Sequence, residues 1–260
     1  MLRRIGVRVD TSEHLPEPIL RCRVDGDIAW LLLERPPRNE LPDPVFADLG
    51  QLSACLHTPG VKGAVLSGSG RHFSAGADLE ALRRQVRDLS PDAFRRRLEQ
   101  GHEVLTLIAE APVPVVAAIR GACLGAGLEI ALASHFRIAA RTALFGLPEV
   151  EQGFVPGFGA AFWLRELLPR GACIQTLLRG AVFGAEEACD MGLVDAVVDG
   201  QELIPRARHR LAELTANRTC EQIRAVMRVV AAARNLPCRE ALRLEADEFC
   251  RLAAAACQAL

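Results

Sequence analysis

The chain has 260 residues, half of them hydrophobic, with a formal net charge of −1 and a pI of about 6.6. That is enough apolar material for a large buried core, and so even a charge balance supplies no field to draw nucleic acid or a membrane surface. No run of eighteen apolar residues is present to span a bilayer, and Met1–Asp10 lacks the apolar stretch of a signal peptide. A cytoplasmic protein with neither nucleic-acid nor membrane partners is the expectation.

After a polar N-terminal arm over residues 1–26, Asp27–Leu33 (DIAWLLL) reads as a strand, stopped by Arg35-Pro36-Pro37. Pro42, Asp43 and Pro44 are expected to open a helix that places Phe46, Leu49, Leu52 and Leu56 on one face. Val61–Ser67 is a second strand, ending in the turn residues Gly68-Ser69-Gly70. A polar, arginine-rich stretch from Leu79 to Arg97 leads into an amphipathic helix through Leu98, Val104, Leu105 and Ile108. The arginines between 83 and 97 read as a solvated helix face, with contact to phosphate the rarer alternative.

Pro112-Val113-Pro114 stops that helix, and Val115–Ile119, apolar on both faces, reads as a buried strand. Gly121–Gly127 is a glycine-punctuated turn, Leu128–His135 a short apolar helix and Phe136–Ala140 another buried strand. From about Gly184 the chain reads as mainly helical, with Ala185, Ala188 and Cys189 on one apolar face and Ile223, Val226, Val229 and Val230 on another. Alternating strand, turn and helix implies an α/β fold with helices around sheet.

The nine cysteines are odd in number and show no C-x-x-C spacing, so buried, reduced thiols are expected. The six histidines show no H-x-x-x-H spacing, so no metal site is expected. Two motifs fail on inspection. Read from Gly125, a G-x-G-x-x-G nucleotide loop would need glycine where Ile130 stands, and a hydrolase elbow around Ser74 would need glycine where His72 stands.

Two glycine-containing turns, Phe73–Leu79 and Gly121–Gly127, remain, together with two carboxylates. Small residues at such turns let a ligand approach backbone N–H groups. The second turn also feeds a helix N-terminus, where unpaired N–H groups favour negative charge. Glu129 lies among apolar neighbours in LGAGLEIALAS, and Glu149 follows LFGLP. Burying a carboxylate is costly and raises its pKa. The residues leave two readings open, a working pair of carboxylates or structural ion pairs.

At these residues the sequence resembles the crotonase superfamily, the enoyl-CoA hydratase/isomerase family. FSAGADL at 73–79 is similar to its first oxyanion loop, and Pro114–Ser134 to its second loop and central helix. LFGLPEVEQGFVPGFGAAFWL at 144–164 is similar to its catalytic turn and following helix, GAVFGAEEACDMGLVDAVV at 180–198 to the segment after it, and ERPPRNEL at 34–41, more weakly, to its first strand–turn. The resemblance implies a spiral of ββα units over residues 1–199 and a C-terminal helical region over 200–260 that supports trimers or dimers of trimers.

It further implies backbone N–H donors at Ala77 and Ala126 for a thioester oxygen. Ala75, Gly76, Asp78, Leu79, Gly125 and Gly157 would line the substrate. Glu129 and Glu149 would be the catalytic acids and bases, with coenzyme A entering only as part of the substrate. Having both glutamates favours hydration over isomerisation. Dehydration of a 3-hydroxyacyl thioester on CoA or a carrier protein, and a silent thioester-binding subunit, are the competing readings. Ala126 stands where the family has a glycine, and the chain closes on FCRLAAAACQAL, short of the EG-containing segment and last helix common in the family.

Overall fold

A computed structural model describes residues 18–44 and 46–258. Its main sheet has six strands in the order β1 (Leu20–Asp25), β2 (Ile28–Leu33), β3 (Gly63–Gly68), β4 (Val115–Ile119), β6 (Phe136–Ala140) and β9 (Ala196–Val198). β1 runs antiparallel to β2, and every later pairing in this sheet is parallel. A smaller sheet joins β5 (Ala122–Leu124), β7 (Leu144–Gly146) and β8 (Phe183–Gly184).

The helices are α1 (Leu49–Leu56), α2 (Leu79–Asp88), α3 (Pro91–Ala109), α4 (Ala126–Leu132), α5 (Ala160–Leu167), α6 (Arg170–Arg179), α7 (Ala185–Asp190), α8 (Leu203–Thr215), α9 (Cys220–Asn235) and α10 (Cys238–Gln258). Twice in succession a main-sheet strand turns into a small-sheet strand and then into a helix. β4, β5 and α4 form one such unit, and β6, β7 and α5 the next. This is the expected α/β spiral of ββα units followed by a helical C-terminal region.

Period-two alternation splits the sheet between two cores. In β4, Val115, Ala117 and Ile119 face the larger core with Leu105 and Ile108 of α3 and Leu128 of α4. Val116 and Ala118 face the opposite side, where Leu203, Ala207 and Leu211 of α8 cover Trp30, Val65 and Ile138. Those three α8 residues recur every four positions, the spacing of one helix face.

Several expectations are corrected by tertiary pairing. The arm contains a strand, β1, held because Leu20 N–H donates to Phe46 O and Leu20 bridges Ala47. The helix α1 begins later than expected, at Leu49, capped by Asp48 on Gln51 N–H. The polar stretch after Leu79 is two helices, separated where Ser90 caps α3 and Pro91 takes its first position. The glycine turn contains β5, and the region after Gly184 includes β9, whose Ala196–Val198 pairs with Ile138–Ala140.

The cysteine expectation fails in part. Cys22 of β1 and Cys55 of α1 form a disulfide across a Cα separation of 6.3 Å. Cys123 and Cys173 are buried, whereas Cys238, Cys250 and Cys257 are exposed. No local spacing encodes a bond between residues 33 apart in sequence. The apolar face expected on α9 also divides: Ile223, Ala225 and Ala232 are buried, while Val226 and Val230 are exposed.

Candidate active site

The two glycine turns lie side by side. Ser74 N–H donates to Ala122 O and Leu124 N–H donates to Ser74 O, both at 3.0 Å, forming a short parallel bridge. Close approach depends on missing side chains. A Cβ on Gly76 would stand 2.6 Å from Leu124 O, and one on Gly127 would stand 2.6 Å from Ser74 O. Gly76 thus brings the first turn against the start of α4, with its own Cβ direction 3.4 Å from Ala126 N.

Each turn leaves one N–H free. Leu41 N–H donates to Gly76 O and Asp78 N–H to Leu41 O, so the N–H of Ala77 between them points away from that bridge. Ala126 is the first residue of α4, where an N–H has no intrahelical acceptor. Among the described residues neither N–H has a hydrogen-bond acceptor. Gly125 before it adopts φ 50°, ψ −128°, a conformation closed to side-chain-bearing residues. The methyl group of Ala126 is accommodated in the core, the residue being 5% exposed.

Glu129 sits one helical turn further on, 1% exposed. Its Oε1 accepts from Phe158 N–H at 2.8 Å and from Ala160 N–H at 2.9 Å, at the turn that opens α5. Burial, and then the charge of Glu149, push its pKa up to about 8, the two N–H bonds opposing them. Glu149 lies in a 3-10 turn, Pro148–Gln152, that follows β7. Its Oε1 lies 2.5 Å from where a Cβ on Gly125 would stand, which seats the carboxyl over the turn beside Ala126. Its Oε2 is buried and accepts no hydrogen bond. Burial raises this pKa as well.

Neither glutamate has a cationic partner among the described residues, which disfavours the ion-pair reading. Burial, with the charge of Glu149 added to it, works against ionisation of Glu129, which therefore holds its proton near neutral pH. Of the two carboxyls, whichever is protonated can give a proton and whichever is ionised can accept one. Beside them are two unpaired N–H groups. That combination suits chemistry in which an oxygen gains charge as a proton moves to or from carbon.

The remaining sequence-selected residues divide. Ala75, Gly76 and Gly125 belong to the paired turns; Ala75 N–H is bonded to Arg38 O. Asp78 turns away as the cap of α2, accepting from Glu80 and Ala81 N–H, and pairs with Arg35 at 3.5 Å. The Ala81 bond, with the Arg35 charge, holds its carboxyl below the usual range. Leu79 is exposed at the start of α2, and Gly157 is exposed at the turn before Phe158. Of the arginines of α2 and α3, Arg84 meets Glu80, Arg95 meets Asp92 and Arg97 meets Asp43. Ser74 is buried, its hydroxyl donating to Asn39 O at 2.7 Å and accepting from Gly76 N–H, so it is part of the scaffold.

Asn39 was not distinguished by its sequence context, and it organises the first turn. It is fully buried at φ 50°. Its Nδ2 donates to the carbonyls of Ser69, His72 and Phe73, and its Oδ1 accepts from Arg35 N–H. The sequence signal available was an asparagine directly after a proline-rich turn, a residue suited to left-handed backbone. The N–H groups of Phe158 and Ala160 are likewise silent in the sequence, since backbone donors carry no residue signature. Among the described residues no group of three or more ligating side chains could hold a metal ion, and no helix is long and apolar enough to cross a membrane.

A ββα spiral with two carboxyls that lack cationic partners, and two free N–H groups at adjoining turns, fits the crotonase class of enzyme. The family model for enoyl-CoA hydratase/isomerase matches residues 23–257. The chain belongs to that family, as a hydratase-like member of the hydro-lyase class. It is 33% identical over 229 residues to a probable enoyl-CoA hydratase of Bacillus subtilis, covering 87% of each chain. It is also 33% identical over 221 residues to the carnitinyl-CoA dehydratase of Escherichia coli, covering 84% of this chain and 82% of that one. Among solved structures, an enoyl-CoA hydratase from Polaromonas sp. JS666 superposes with a TM-score of 0.79 at 29% identity, over 89% of this chain and 90% of that one.

Proposed function

We propose that the chain adds water reversibly and syn across the 2,3 double bond of an enoyl-CoA thioester, giving a 3-hydroxyacyl-CoA. The observation that carries this reading is a pair of carboxyls without cationic partners among the described residues, the charge of Glu149 adding to the burial that raises the pKa of Glu129, together with the free N–H groups of Ala77 and Ala126. The two N–H groups receive the thioester oxygen as it gains enolate character; losing one such donor costs about 3 kcal/mol of transition-state stabilisation. Water held between the carboxyls bonds through its oxygen to the β-carbon and gives its proton to a carboxylate. The double-bond electrons move toward the thioester oxygen, and the α-carbon takes up a proton.

Glu129, gripped by Phe158 and Ala160 N–H, orients and activates the water. Glu149, with one oxygen unpaired, exchanges protons with water and the α-carbon. The pair titrates as a unit. Ala75, Gly76, Gly125 and Gly157 line the thioester, and Asp78 and Leu79 act at the edge of the first turn. Coenzyme A is part of the substrate, and this chemistry needs no further cofactor. Val226, Val230, Leu242 and Phe249, exposed on α9 and α10, support contact between copies in a trimer or a dimer of trimers in the cytoplasm.

The test is loss of enoyl-thioester absorbance with short- and medium-chain enoyl-CoA substrates. Turnover abolished in both Glu129→Gln and Glu149→Gln supports the reading. Full activity in a folded Glu129→Gln protein refutes it. Tight CoA binding without turnover of any enoyl- or 3-hydroxyacyl-CoA points to the silent subunit instead. The kinship with a carnitinyl-CoA dehydratase favours including 3-hydroxyacyl substrates, because dehydration uses the same groups in reverse.

A further inference from the structure

Glu129 depends on a turn that belongs to another part of the chain, so whatever fixes that turn also sets Glu129. Gly157–Ala160 is exposed at Gly157 and follows a loop whose Phe154 and Val155 are themselves exposed. It is seated from outside by two consecutive residues of α3. A Cβ on Gly101 would stand 2.7 Å from the Phe158 ring and 2.8 Å from Pro44 O, so glycine there admits the ring against the helix. His102 Nε2–H donates to Gly157 O at 2.7 Å, and its ring meets Phe158 edge-on with centroids 6.0 Å apart. Phe46 also packs near Phe158, with ring centroids 6.1 Å apart.

We propose that His102 is a positioning residue: by holding Gly157 O and the Phe158 ring it fixes the turn that aims the N–H groups of Phe158 and Ala160 at Glu129. This rests on the acid–base reading of Glu129 given above. His102 acts through the turn, and either tautomer choice is settled by its partner, since a carbonyl accepts only from a protonated Nε2. Its side chain is exposed, so its loss removes little core and leaves the fold in place. What changes is the aim of two donors that favour the ionised form of Glu129. The charge that acts on Glu129 from the elements around it is that of Glu149.

The experiment compares wild type, His102→Ala and His102→Gln by two readouts. The first is the pH profile of kcat with an enoyl-CoA. The second is an infrared titration, without substrate, of the carboxyl band that disappears in Glu129→Gln. In His102→Ala, kcat falls about tenfold and the Glu129 carboxyl titrates about one pH unit higher, because loosened N–H bonds no longer favour the carboxylate. In His102→Gln, whose amide can donate to the same carbonyl, both values return most of the way to wild type. An unshifted Glu129 titration in His102→Ala overturns the proposal, whatever happens to kcat. If wild type turns over no thioester yet the carboxyl band shifts, the hydratase reading fails while the positioning role of His102 stands.

Discussion

Replacing Glu129 by glutamine should abolish activity and stabilise the protein, and the two effects should depend on pH differently. The carboxyl is 1% exposed and its pKa rises from 4.5 to about 8 on folding. Below pH 4.5 it is protonated in both folded and unfolded chains and contributes no difference. Between 4.5 and 8 the unfolded chain releases the proton that the folded chain retains, so stability falls as pH rises. Above 8 the folded protein carries the full cost of a buried charge facing Glu149. A shift of that span, at about 1.4 kcal/mol per unit, is on the order of 5 kcal/mol. Glutamine keeps an oxygen for the N–H groups of Phe158 and Ala160 and never ionises. Urea denaturation of both proteins at pH 5, 7 and 9 should show a stability advantage of Glu129→Gln that is small at pH 5 and grows steadily to pH 9. A difference that stays constant across that range would refute the assignment of Glu129 as a buried, proton-holding carboxyl.

Three other outcomes follow from the same geometry. Gly125→Ala introduces a Cβ 2.5 Å from Glu149 Oε1 at a backbone conformation that excludes it, and kcat should fall about a hundredfold or more in steady-state assays. Asn39→Ala removes the donor shared by the carbonyls of Ser69, His72 and Phe73 and should destabilise the fold by about 3 kcal/mol, read by chemical denaturation. Reducing the Cys22–Cys55 bond opens a loop spanning 33 residues and should lower unfolding stability by about 3–4 kcal/mol, with Cys22→Ser unresponsive to the same reductant.

The strands that matter most to the fold were readable because they are short apolar runs between breakers. Val115–Ile119 and Phe136–Ala140 occupy those residues in the structure. Their burial on both faces follows from the sequence itself, since no polar alternation marks a solvent side. The two glutamates stood out for the same kind of reason, a carboxylate placed among residues that cannot solvate it.

What composition and periodicity could not supply was partnership. β1 exists because Leu20 meets Phe46 and Ala47, and β9 because residues near 196 reach the free edge of β6. Cys22 and Cys55 were expected as separate thiols until α1 laid one against the other. That the Asp78 side chain caps α2, accepting from Glu80 and Ala81 N–H, depends on where that helix begins. Glu129 carried the signal of a buried acid in its neighbours, and burial is the main cause of its raised pKa; the further effects of Glu149, Ala160 and Phe158 come from groups that only the folded chain brings to it. Apolar context in the chain marked the core strands and the two carboxyls that would be costly there. The tertiary structure alone decided what faces them, because hydrogen bonds and charges act through space and leave no period in the chain.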